Sequence, residues 1–257
     1  MSEKKVHFAA SNSPVAQKAL SELTEKYGQI SAQQADVIVA LGGDGFMLHT
    51  LHDTLHLPAP VYGMNRGSVG FMMNDYSDED LIERLDEAEE TVINPLRMRA
   101  TTVTGLTTEA LAINEVSLLR QTYQAAKLRI SVDGQERLHE MICDGALIAT
   151  PAGSTAYNLS AHGPILPIES DLMALTPISA FRPRRWRGAL LPHDATVMIE
   201  ILEEAKRPVL AVADSTEVRQ VSLVEVGFHT EIEIKLLFNQ GHGLSERILK
   251  EQFMTEG

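Results

Sequence analysis

The sequence predicts an α/β N-terminal domain built on a parallel sheet, then a mainly β, antiparallel, sandwich-like C-terminal domain, with a final helix that returns to the first. Three observations carry this. Up to Pro95 short apolar runs alternate with segments of helical period; beyond it the chain alternates apolar and polar residues in β-rich runs; and the end, "GLSERILKEQFM", is helical again. The expected boundaries are 1–95, 96–238 and 239–257.

Taken in order, "KKVHFAAS" is a short strand, and Ser13 with Pro14 opens a helix to about Tyr27, proline occupying the first helical position it favours. "ADVIVAL" is a buried strand, "FMLHTLHDTL" a helix and "APVYGMN" a third strand. "SDEDLIERLDEAEE" is a surface helix with Ser77 and Asp80 spaced as a capping box. Then "LRMRATTVTG", "ALAINEVSLLRQ" and "AKLRISVDGQERLHEM" are β segments, the last a hairpin about Asp133-Gly134, a dipeptide suited to a type I′ turn. "ATVMIEIL", "PVLAVAD", "TEVRQVSLVEVG" and "TEIEIKLLF" continue the β pattern.

Composition narrows the function. A formal net charge of −13 over 257 residues lacks the broad basic surface that nucleic-acid binding requires. The single cysteine, Cys143, excludes an internal disulfide and a cysteine-based zinc cage, as expected of a cytoplasmic protein. No apolar run approaches membrane-spanning length, so no membrane partner is expected.

"ALGGDGFMLH", Ala40 to His49, places glycines at a strand-to-helix turn, where backbone N–H groups usually receive anions. Asp44 in its midst would repel a phosphate unless a divalent cation or a hydroxyl group intervenes. The alternative is a tight strand-to-helix connection. A second glycine loop, "GMNRGSVGFM", could line the same crevice with Asn65, Gly67 and Gly70, or be an ordinary turn with Phe71 in the core. Asn114 and Glu115 adjoin in an apolar strand and so share a pocket only if the strand ends or bulges there. In "CDGALIATPAGSTAYNLSAHGPILP" the small residues keep backbone close to a ligand, Ser154, Thr155 and Ser160 supply donors, and Tyr157 adds a stacking face. A helix N-terminus packed in a subunit interface would use the same composition. His49 can reach a phosphate from the first turns of its helix or simply be solvated. Asp214 either holds a turn or faces the site, and the basic cluster "FRPRRWRG" either attracts phosphate or is a solvated loop or subunit contact.

These segments, in this order along most of the chain, resemble the ATP-dependent NAD kinases, and the TP-x-GSTAY-x-LSA-x-GP pattern within the last is specific to them. The resemblance implies phosphorylation of the adenosine-ribose 2′-hydroxyl of NAD, with NAD and ATP as substrates and Mg²⁺ or another divalent cation accompanying ATP. It implies a homodimer or homotetramer. It makes Asp44 the proton acceptor and Gly45 a nucleotide contact, and gives the adenosine part to Asn114 and Glu115. Asp144, a candidate contact across a subunit boundary, and Ala152 would lie near the NAD, and Thr155, Ala156, Tyr157, Asn158, Leu159 and Ser160 would wrap it. Three positions depart from the pattern: Phe46 replaces a frequent Thr or Asn, Ala152 a frequent Ser or Thr, and Ser215 the Gly that often follows Asp214. A lipid kinase of the diacylglycerol type and a dinucleotide sensor without turnover are the competing readings.

Overall fold

In a computed structural model of the chain, residues 4–67, 70–184 and 186–253 are described. Ser68 and Val69 of the second glycine loop, Arg185 of the basic cluster and residues 254–257 of the tail lie outside them. Two compact units form, one running to residue 93 and taking in 232–250, the other spanning 94–231.

In the first unit β1 (Val6–Ala10), β2 (Val37–Gly42) and β3 (Val61–Asn65) run parallel, connected through α1 (Pro14–Tyr27) and α2 (Asp44–Thr54). The start of α1 is set by local chemistry: Ser13 is extended and its hydroxyl accepts the Ala16 N–H at 3.2 Å, while Pro14 sits where a missing N–H is harmless. All six residues of β2 are buried, as befits a central parallel strand covered on both faces. Leu23 of α1, Val39, Tyr62 and Leu81 share one core.

The surface helix is shorter than the sequence predicts. It is α3 (Leu81–Asp86), and Glu89–Ile93 form the strand β4. Nor is there a capping box: Asp80 is the N-cap in a left-handed conformation (φ 49°) without a side-chain cap bond, and the Ser77 hydroxyl accepts from Glu79 N–H instead. Helix propensity in "DEAEE" yields to the strand pairing available to Thr91-Val92-Ile93.

The second unit contains β5 (Leu96–Thr102), β6 (Thr107–Ala112), β7 (Glu115–Arg120), β8 (Ala126–Val132), β9 (Gln135–Cys143) and β10 (Gly145–Ala149). A 3-10 turn at Ala152–Thr155 and the one-turn helix α4 (Tyr157–Ser160) follow. Then come β11 (Leu172–Ile178), β12 (Ala189–Pro192), β13 (Val197–Ile201), β14 (Val209–Ala213), β15 (Thr216–Val218) and β16 (Val221–Phe228). The strands form two antiparallel sheets, ordered β6-β5-β16-β13-β8-β9 and β12-β11-β10-β7-β14-β15. Between them lies one core with Leu96, Met98, Val116, Leu118, Ile130, Ile148, Leu175, Ile199, Ala211 and Val224, the sandwich expected. The β8–β9 turn has positive φ at Asp133 (52°) and Gly134 (73°), as a type I′ turn demands.

Two segments expected to be single strands each divide. "ALAINEVSLLRQ" becomes β6 and β7, and "TEVRQVSLVEVG" becomes β15 and β16, because at Ile113-Asn114 and at Arg219-Gln220 the chain leaves one sheet for the other. A third such corner is Asp144, between β9 and β10.

The chain then re-enters the first unit. The strand expected in the β-rich domain, β17 (Ile234–Phe238), instead lies between β3, with which it is parallel, and β4, with which it is antiparallel. Buried Asn74 rivets it there, donating to Gly63 O and Leu237 O at 3.0 Å each and accepting from Asn239 N–H at 2.8 Å. The last helix is α5 (Leu244–Gln252). Among the described residues no helix is long and apolar enough to cross a membrane.

Candidate active site

In the first unit the glycine turn closes β2 and opens α2. Gly43 is the N-cap, its carbonyl accepting from Phe46 and Met47 N–H at 3.0 Å each, and Asp44 is the first helical residue. The glycines have different reasons. A Cβ on Gly42 would lie 2.7 Å from Phe46 Cβ, so that position is small because Phe46 packs over it. Nothing lies within 4 Å of a Cβ built on Gly43 or Gly45, so the room they leave is not filled by described protein atoms.

The second glycine loop meets the first. Arg66 N–H donates to Gly42 O at 2.6 Å, and Asn65 Oδ1 accepts from Gly67 N–H at 2.8 Å. Asp44 Oδ2 accepts from Phe71 N–H at 2.6 Å and Oδ1 from Met72 N–H at 2.8 Å. The carboxylate therefore has a partner the sequence did not suggest: two consecutive peptide N–H groups of the neighbouring loop, in addition to the positive end of its own helix. Each oxygen still has acceptor capacity, since an ionised carboxylate offers about four lone-pair sites. Phe71 is half-buried rather than a core residue. His49 is exposed and pairs with Asp53 at 3.3 Å, one turn further along α2.

In the second unit the strand is interrupted at the Ile113-Asn114 corner: β6 ends before Asn114 and β7 begins at Glu115. Asp214, at φ 48° in the tight β14–β15 turn, accepts from the N–H groups of Ile113, Asn114 and Glu115 at 2.6, 3.1 and 3.3 Å. Thr150 grips the other edge, its hydroxyl donating to Ile113 O at 2.7 Å and its N–H to Asn114 O at 2.9 Å. Gly153 lies so close to Asn114 O that a Cβ could not be accommodated. Asp214 thus holds a turn, and Ser215 needs no glycine because its φ is not in the left-handed region.

Two buried acceptors here, Asn114 Oδ1 and Glu115 Oε2, have no hydrogen-bond partner among the described residues. Burial, then the nearby charge of Asp214, pushes the Glu115 carboxyl up to about 7, an effect countered by the Tyr157 N–H. Tyr157 is half-buried; burial, with the charges of Glu115 and Asp144, raises its phenol above the usual range. The Asp144 carboxylate accepts from Arg120 Nε at 2.6 Å.

The residues from Thr150 to Ser160 divide by what their side chains do. Ser154 donates to Pro151 O at 2.7 Å and accepts from Leu166 N–H at 3.0 Å. Buried Asn158 donates to Ser154 O and Pro164 O at 3.1 and 2.8 Å and accepts from Thr176 Oγ1 at 2.6 Å, so its amide is occupied within the fold. Ala152 is buried as well. Thr155, Ala156, Tyr157 and Leu159 are half-buried and Ser160 is exposed. Among the described residues no three His, Cys, Asp or Glu side chains converge as a protein metal cage would require.

Two family models match: the ATP-NAD kinase N-terminal domain over residues 1–92 and the ATP-NAD kinase C-terminal domain over residues 113–227. A protein of Cereibacter sphaeroides named NAD kinase is 58% identical over 254 residues, covering 99% of this chain and 100% of its own. Two solved structures share the fold. Yeast NADH kinase complexed with NADH has a TM-score of 0.82 at 21% identity, over 99% of this chain and 89% of that one. An NAD kinase from Archaeoglobus fulgidus in complex with ATP has a TM-score of 0.77 at 22% identity, over 96% and 97%.

Proposed function

The chain belongs to the ATP-NAD kinase family, and from that premise we propose that it transfers the γ-phosphoryl group of ATP to the 2′-hydroxyl of the adenosine ribose of NAD, giving NADP and ADP. The observation that carries this reading is the Asp44 carboxylate, held by two peptide N–H groups at the head of α2 beside the open positions Gly43 and Gly45. A residue that only bound phosphate would not be a carboxylate.

The ribose oxygen attacks the γ-phosphorus as the bond to the ADP oxygen breaks, and the hydroxyl proton passes to Asp44. A carboxylate is far too weak a base to ionise an alcohol beforehand, so Asp44 orients the hydroxyl and takes the proton late. Transition states of this class are loose, and alignment with neutralisation of charge supplies most of the catalysis. Asn114 Oδ1 and Glu115 Oε2 are acceptors for the donors of the adenosine, whose amino group and hydroxyls are of the right kind. Tyr157 offers a stacking face, Gly45 a close backbone approach, and Thr155, Ala156, Leu159 and Ser160 the lining of the dinucleotide. Asn158 and Ala152 act from within, by shaping that lining. Mg²⁺ would accompany ATP as part of that substrate and would supply neutralisation of phosphate charge. The protein is further proposed to work in the cytoplasm as a homodimer or homotetramer.

Incubating purified protein with NAD, ATP and Mg²⁺ should yield NADP. Asp44→Asn should lower kcat by about 10²- to 10⁴-fold with NAD affinity little changed, the usual scale for loss of a general base. NAD binding without NADP formation would favour the sensor; wild-type turnover by Asp44→Asn would remove Asp44 from the mechanism.

A further inference from the structure

Arg247, in α5, faces the far side of the peptide units that hold Asp44. Its Nη1 donates to Gly70 O at 3.0 Å and to Phe71 O at 3.3 Å. The N–H groups of those same two peptide units are the Phe71 and Met72 donors to Asp44, at 2.6 and 2.8 Å. Two parallel chains therefore run guanidinium, carbonyl, amide, carboxylate. Arg247 is itself anchored, its Nε donating to His242 O at 3.0 Å and its guanidinium carbon lying 5.7 Å from the centroid of the Phe238 ring. Within this unit the charges of Asp75 and Asp44 both act on it.

We infer that Arg247 is a positioning residue for phosphoryl transfer, acting on Asp44 through the peptide units 70–71 and 71–72. It rests on the reading of Asp44 as the proton acceptor. Two effects combine. Fixing both carbonyls fixes the direction of both N–H groups, so the carboxylate is held in one orientation toward the hydroxyl. A cation on the carbonyl also polarises each peptide, making its N–H a stronger donor, because hydrogen bonds in a chain reinforce one another. No contact with substrate is required of Arg247.

The test compares Arg247→Met, Arg247→Lys, Asp44→Asn and the double variant Arg247→Met with Asp44→Asn, by steady-state kinetics and by single-turnover transfer with enzyme in excess. Arg247→Met is expected to lower kcat by about 10- to 100-fold, the scale of a misaligned reacting group, with KM for NAD and for ATP within about threefold of wild type. Arg247→Lys, whose ammonium can donate to the same carbonyls, should recover much of that loss. In the Asp44→Asn background Arg247→Met should cost little more, because the group it positions is gone. Thermal melting of each variant reports folding separately. The inference is overturned by wild-type kcat in Arg247→Met, by an equal loss in the Asp44→Asn background, or by a loss that follows melting temperature and is not restored by lysine. Wild-type turnover in Asp44→Asn alone would instead overturn the reading of Asp44.

Discussion

Glu115 carries a carboxyl that resists ionisation, pushed up to about 7 first by burial and second by the charge of Asp214. Its folded value lies above the ordinary 4.5, so the folded state holds this proton more tightly than the unfolded chain. The sign follows: this contribution favours folding most below about pH 4.5, declines as pH rises toward 7, and is lost above it. Glu115→Gln removes the titration. It should stabilise the protein relative to wild type by up to about 3 kcal/mol more at pH 8 than at pH 4.5, while weakening NAD binding. Melting curves at both pH values check this; an equal difference at both would show that burial does not set the carboxyl's ionisation. The sequence made Asp44, Asn114 and Glu115 visible because charged and amide groups in glycine turns and apolar strands are anomalous locally. Asn158 and Arg247 were not legible in that way. An asparagine wholly consumed by Ser154, Pro164 and Thr176, and an arginine on a helix 177 residues from Gly70, look ordinary until their partners are known.

At the scale of elements, two of the residues expected near the NAD lie where strands change sheet. Asn114 sits at the corner from β6 to β7 and Asp144 at the corner from β9 to β10, and Asp214 braces the first of these with three N–H bonds. The sequence raised a strand end at Asn114-Glu115 only as a condition, because β-type residues flank both corners and nothing local marks the change of partner strand. The same element scale separates the glycines. Gly153→Ala drives a Cβ into Asn114 O, and should cost on the order of 2–4 kcal/mol as backbones are forced apart. Gly45→Ala meets no described atom within 4 Å and replaces glycine by alanine in the first turn of α2, which favours the helix by up to about 1 kcal/mol. Denaturant unfolding should therefore show the first variant weakened and the second unharmed or slightly stronger. Turnover should nevertheless fall in Gly45→Ala if the open space belongs to a nucleotide; full activity there would detach Gly45 from the site.

For the whole molecule, the chain leaves the first unit after β4 and returns as β17, and those two strands pair with Ile93 directly opposite Ile234. In the second unit Leu96 is likewise opposite Phe228, so its entrance and exit adjoin. The sequence disclosed a change of pattern near Pro95 and the return of the final helix, but not that β17 joins the first sheet. A five-residue apolar strand carries no mark of which sheet receives it, and here its partners lie far back in the chain, at Val61-Tyr62 and Glu89–Ile93. The topology makes a demanding prediction: the β-rich unit is an insertion into a fold that can be closed without it. Replacing residues 94–233 with Asn-Gly would join Ile93 to Ile234 by a two-residue hairpin of the type I′ class, restoring the sheet order β1-β2-β3-β17-β4 in one short chain. That chain should melt cooperatively and show dispersed amide resonances, whereas residues 1–93 alone, lacking β17, should leave one edge of β3 and the whole of β4 unpaired and aggregate. Residues 94–231 expressed separately should fold as a sandwich, because all twelve of its strands are then present. If the joined chain fails to fold cooperatively while 94–231 succeeds, the first unit draws stability from contacts beyond its own sheet, and the insertion view is wrong.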